Sequence, residues 1–164
     1  MELSLRDMAI KMAELAVIEV TALHNGLDRA AQLIEKTAKA EIGTYQDEAG
    51  PFPAWAPLSD ATETEKAKSG YPVDSPLLRT GEMRDSIKHE TDGLEAIVGA
   101  TDKKMEYHEF GTNTIPARPV IGPAAYRNKE KIKKLLGTAA VEGILGKTSI
   151  HPSLGYDFDV SSDR

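Results

Sequence analysis

The chain has 164 residues, 40% apolar and 28% charged, with 20 basic residues against 26 acidic and a formal net charge of −6. That size suits one domain with one core, and the acidity gives no global attraction to DNA or anionic membranes, although a local basic face can still bind either. Cysteine is absent, which excludes disulfides, Cys-ligated zinc, iron–sulfur clusters and thiol catalysis and fits a reducing cytoplasm.

The N-terminus, MELSLRDMAIKMAEL, mixes charges into its apolar pattern, so no secretory signal is expected and the product reads as soluble and intracellular. No apolar run approaches the ~20 residues that span a bilayer. From about Ser4 to Ile42, apolar residues including Leu5, Met8, Met12, Leu15, Leu27, Ile34 and Ala38 recur at helical spacing. A straight helix of that length measures roughly 55–60 Å, longer than a domain this small is wide. Either it overhangs its own core and needs a partner there, or it kinks or breaks at Asn25-Gly26 into two core helices.

Residues 43–76 form an extended loop rich in Pro, Gly and Ser that carries the only tryptophan, Trp55. Within it, Ser59 or Asp60 can cap a short helix to about Ala67, with Glu63 in capping-box spacing after Asp60. Thr80 reads as the N-cap of a helix from Gly81 to about Ser86. Asp92-Gly93 between Ile87–Thr91 and Leu94–Ala100 signals a β-hairpin, whose second strand would bury Leu94, Ala96 and Val98. A short helix is expected over 103–110, a third extended segment over Ala117–Ile121, and a last helix from Pro123 to about Leu145 with Gly122 as its cap. The domain is read as 1–146, with a polar arm over 147–164. This order specifies an α+β fold, a small, mainly antiparallel sheet packed with a long N-terminal and a C-terminal helix.

Catalytic and cofactor motifs fail on spacing. Gly146-Lys147-Thr148 resembles the end of a phosphate loop, but the required earlier glycine is Val141 and the segment follows a helix. His108-Glu109 would open a zinc-protease motif, yet the second ligand position holds Thr112. No nucleophile elbow is present, and the pair Asp102/Glu106 fits a solvated helix face. No catalytic residue, cofactor or metal is therefore assigned. The basic run of Arg127, Lys129, Lys131, Lys133 and Lys134 alternates with the apolar stripe of the last helix, where a solvated face belongs.

The stretch Tyr107–Pro123, YHEFGTNTIPARPVIGP, is the most unusual. Aromatic and charged residues run into Gly111, and a proline-stiffened segment then carries Arg118 between Ala117 and Pro119. With PAWAPLSDAT and SPLLRTGEMRDSI upstream and a hairpin ending in AIVGAT, residues 50–145 resemble the small neck or tail-completion proteins of tailed double-stranded DNA phages, often labelled phage virion morphogenesis proteins. The resemblance implies a non-enzymatic virion protein, assembled in the bacterial cytoplasm. It would form a homo-oligomeric ring, six copies by tail symmetry or twelve by portal symmetry. The ring would join portal or adaptor proteins to tail-tube or tail-terminator proteins, with DNA only as passing cargo.

By the same resemblance, Trp55 would anchor the long loop and Arg79 would set the short helix, paired with an acid of its own chain or a neighbour. Tyr107, His108, Glu109 and Phe110 would form the motif helix, with Tyr107 and Phe110 either in the core or at an interface. Arg118 would reach beyond its own chain. The net acidity predicts a lumen surface that is acidic or neutral, since many Lys and Arg contacts would retain DNA. The alternative reading is a small phage-encoded nucleic-acid-binding regulator; a small hydrolase would instead need a pocket with converging titratable groups.

Overall fold

The computed structural model describes residues 4–145 and has an α+β architecture. Helix α1 (Leu5–Glu41) is one uninterrupted element of 37 residues. Ser4 caps it: its Oγ accepts from the Asp7 amide at 3.2 Å while the Asp7 carboxylate accepts from the Ser4 amide at 3.3 Å. The break anticipated at Asn25-Gly26 does not occur, because Gly26 is buried against the final helix. A Cβ there would lie 2.6 Å from the Cβ of Ala139. The glycine permits close helix packing, and that contact holds the helix together where its propensity is weakest.

After α1 come α2 (Asp60–Lys68), α3 (Glu82–Asp85), β1 (Ile87–Asp92), β2 (Glu95–Ala100), α4 (Lys104–Phe110), α5 (Ile121–Arg127) and α6 (Lys129–Leu145). Ser59 caps α2, its Oγ accepting from the Thr62 amide at 3.3 Å. The N-cap of α3 is Gly81, with φ of 90°, one residue later than the Thr80 cap expected from sequence. Thr80 Oγ1 still accepts from the Glu82 amide at 3.4 Å.

Strands β1 and β2 pair antiparallel, Ile87 opposite Ala100 through Asp92 opposite Glu95. Leu94 belongs to the turn and is 55% exposed, which corrects the expectation that it is buried with Ala96 and Val98. The hairpin lies along α1, where the His24 ring meets the Gly93 carbonyl at 2.8 Å, Thr91 donates to Asp28 at 3.2 Å and the His89 amide donates to Glu35 at 3.0 Å.

No third strand forms among the described residues. Over Arg118–Val120 the backbone donors are taken by α4: Arg118 N donates to the His108 carbonyl at 2.7 Å and Val120 N to Glu109. Pro119 has no donor to offer, and Ile121 already begins α5. The long final helix is likewise two helices that meet at Asn128, whose side chain donates to Thr37 and to the Ala124 carbonyl, both at 2.8 Å. Helix α6 then runs back along α1, Asn128 beside Thr37, Ala139 beside Gly26 and Gly143 beside Glu19. The core gathers Ala38, Ile42, Trp55, Met83, Ile87, Met105, Val120 and Ala124. The arm expected at 147–164 lies outside the described residues. Among them, no helix is long and apolar enough to cross a membrane.

Candidate functional site

Most of the motif residues form one buried bracket. Trp55 is 6% exposed and its indole N–H donates to the Pro119 carbonyl at 2.9 Å, tying the long loop to the proline segment. Arg118 crosses the same joint in the opposite sense, its Nε and Nη2 donating to the carbonyls of Ala56 and Pro57 at 3.0 and 2.9 Å. Expected from sequence to reach beyond its own chain, Arg118 is instead 5% exposed and spends its guanidinium on that chain. Its burial works against the charged form, with Tyr45 opposing. An arginine suits this place because its planar fork donates two fixed bonds at once.

Glu109 turns inward from α4 and receives three amides at the start of α5: Val120 at 2.7 Å, Ile121 at 3.2 Å and Gly122 at 3.1 Å. These donors have no partner within a helix, and a carboxylate satisfies them best. Gly122 leaves room for the Phe52 ring, 2.6 Å from where its Cβ would sit, rather than for the Glu109 carboxylate. At the far end of α4, Gly111 adopts φ of 74° and lies against Ala117, where a Cβ would come within 2.9 Å of the Ala117 nitrogen. His108 sits half-buried beneath the helix, its Nδ1 sealed from solvent without a protein partner. Burial first, and then the Arg118 charge, hold its pKa below the ordinary value.

Tyr107 and Phe110 take the opposite face of α4, three residues apart, and are 51% and 79% exposed. The alternative that they belong to the core is therefore closed. Arg79 stands apart from this bracket. It grips Glu65 through two bonds of 3.3 and 2.7 Å and lies 5.8 Å above the Tyr71 ring, so its acid partner is in its own chain. With both side chains about half exposed, the pair contributes at most ~1 kcal/mol.

Two ionic clusters, one around buried Glu41 and one partly exposed around Glu35, were not anticipated from the sequence. Glu41, 5% exposed, pairs with Arg127 across 86 positions of chain at 2.5 Å, and Arg127 also reaches Gln46 and the Asp47 carbonyl. Glu35 holds Lys39 and His89 together, with Asp28 3.5 Å from the His89 ring. Only the Glu35–Lys39 spacing was available in the sequence, as an i,i+4 pair. An open cleft of about 610 Å³ beside this cluster is lined by Arg29, Gln32, Leu33, Lys36 and Leu135. Among the described residues no group of three or more His, Asp and Glu is placed to hold a metal ion.

The chemistry of this region is that of a fixed display. Arg118 and Glu109 beneath α4 join three segments of chain, and two aromatic side chains face outward from the joint. Compared with protein-family models, curated proteins and solved structures, the chain finds no match.

Proposed function

We propose that this chain is a structural subunit of the neck of a tailed double-stranded DNA phage, a head-to-tail connector or tail-completion protein. In this reading it forms a homo-oligomeric ring, six copies or else twelve, around the DNA channel and joins portal-side to tail-side proteins. The observation that carries the reading is Phe110, 79% exposed beside the half-exposed Tyr107, on a helix whose inner residues are pinned by Arg118 and Glu109 bonds. An apolar aromatic held rigidly in solvent loses little entropy on docking, and aromatic residues are enriched where protein partners make their strongest contacts.

The test has two parts. Mass spectrometry of purified phage particles is expected to find the chain as a virion component; its absence from infectious particles overturns the proposal. Native mass spectrometry with the portal-side neighbour is expected to show a closed ring that Tyr107→Ser combined with Phe110→Ser abolishes, while the thermal midpoint of the subunit is unchanged. Strongly salt-dependent DNA binding by the isolated chain, with no ring under any condition, would favour a nucleic-acid regulator instead.

A further inference from the structure

Helix α1 carries one apolar stripe along its whole length, and the domain covers only half of it. At 3.6 residues per turn, residues 18 apart share the same azimuth. Met12 therefore lies in line with Ala30, Ala16 with Ile34 and Val20 with Ala38. Ala30 and Ala38 are buried, Ala38 completely, and Ile34 packs against the core. Their counterparts near the N-terminus are exposed, as is every residue from Ser4 to Ile18. Helix α6 accompanies α1 as far as Gly143, opposite Glu19. Beyond that point, among the described residues, the stripe has no cover for about four turns, ~24 Å.

Eight large apolar side chains between Leu5 and Val20 are 43–87% exposed. Leu5, Met8, Met12, Leu15 and Val20 fall on the stripe, whereas Ile10, Val17 and Ile18 point away from it. At ~25 cal/mol per Å², a Leu-sized side chain corresponds to about 60–120 Å², so the five offer roughly 150–350 Å² of apolar surface. It is one contiguous face rather than a scatter of single side chains. Paired with an equal patch, it reaches about 300–700 Å² in total, the low end of weak, reversible interfaces.

The charges indicate the orientation of a partner copy. Arg6 and Lys11 lie in the first half of the stretch and Glu14 and Glu19 in the second, while Asp7 is engaged by Ser4 in the cap. A parallel copy would set like charges at the same height; an antiparallel copy sets basic halves against acidic halves and opposes the two helix dipoles. Ala9 and Ala16, both on the stripe, fall opposite one another in that arrangement and allow close approach.

We propose that residues 5–20 of α1 are covered by the same residues of a second copy, crossed antiparallel about a two-fold axis between Met12 and Ala13. This contact is isologous and distinct from the head-to-tail contacts of a ring. It rests on the helix surface alone and stands or falls independently of a role in the phage neck.

The absence of cysteine from the chain makes the test direct. In the full-length protein, Met12→Cys is expected to form a disulfide-linked dimer on mild oxidation. Leu5→Cys is expected not to link to itself but to link to Val20→Cys when the two variants are mixed. Sedimentation equilibrium of the unmodified chain should show monomer and dimer in exchange, and Leu15→Glu should weaken the dimer at least about tenfold with the far-ultraviolet circular dichroism unchanged. Self-linkage of Leu5→Cys as efficient as that of Met12→Cys overturns the antiparallel arrangement. A wild-type chain that stays monomeric throughout the micromolar range overturns the pair altogether and leaves the face to residues 146–164 or to a foreign protein. The cysteine readout stands even if Leu15→Glu disturbs folding.

Discussion

Gly26 of α1 faces Ala139 of α6 so closely that a Cβ on the glycine would lie 2.6 Å from the alanine Cβ. Replacing a mid-helix glycine by alanine ordinarily gains up to about 1 kcal/mol. Here the overlap is between two short side chains that cannot bend away, and overpacking of that kind costs about 1–3 kcal/mol. Gly26→Ala is therefore expected to destabilise the protein, and Ala139→Gly in the same chain should restore most of the loss. Urea titrations of the two single variants and the double variant give the coupling. A stabilised Gly26→Ala would mean that the helices separate freely and that the glycine has no packing role.

The carboxylate of Glu109 closes the start of α5. Removing it strands three backbone donors, each bonded at 3.2 Å or less. Glu109→Ala should cost about 2–3 kcal/mol, and Glu109→Gln about half as much because one amide oxygen can still accept. The emission of Trp55, the sole tryptophan, reports the loss directly because its indole bonds to Pro119 in the same joint. An Ala variant as stable as the parent would show that water caps the helix equally well.

Arg127 neutralises a carboxylate that the fold has buried. Burial raises the Glu41 pKa above its ordinary 4.5, and the Arg127 bond and charge pull it back. Arg127→Met leaves Glu41 without that partner and is expected to cost about 2–4 kcal/mol at neutral pH. With the guanidinium gone the folded-state pKa rises further. A group with a raised folded pKa loses stability as pH climbs, so the variant should recover part of its deficit as pH falls toward 5. Adding Glu41→Leu should recover it without acid. A pH-independent deficit in the single variant would contradict this account.

The Glu35 cluster has the opposite sign. Bonds from Lys39 and then His89 hold the Glu35 pKa down to about 2, against an ordinary 4.5. The stabilisation is complete above about pH 4.5 and disappears as pH falls through about 2, because the unfolded chain takes up the proton first. Its size is on the order of 1–2 kcal/mol after solvent screening. Glu35→Gln should flatten the acid limb of a stability–pH curve in that window, and an unchanged limb would show that other carboxylates set it.

The α+β class was legible because helical spacing over residues 4–42 and the Asp92-Gly93 turn are local signals, whereas Gly122, read as a helix cap, lies inside α5, whose cap is Val120. The hairpin came within a residue or two of its observed limits, and the short helix over 103–110 emerged as α4. The readings that the structure turned down, including the one of two alternatives that split the first helix, share one cause. Asn25-Gly26 reads as a break until α6 is present to occupy the space, and Ala117–Ile121 reads as a strand until Glu109 and the His108 carbonyl take its donors. Arg118 reads as an outward contact until the carbonyls of Ala56 and Pro57 arrive from 62 and 61 residues away.

What the amino-acid order determined alone was therefore periodic and nearby: which stretches coil and where the chain turns. Only the tertiary structure decided which side of α4 is buried, which arginines are consumed internally, and which half of the α1 stripe stays bare. Helical and strand periods arise from sterics between neighbouring residues. Burial and hydrogen-bond satisfaction depend instead on segments dozens of positions apart, and those meet only when the chain has folded.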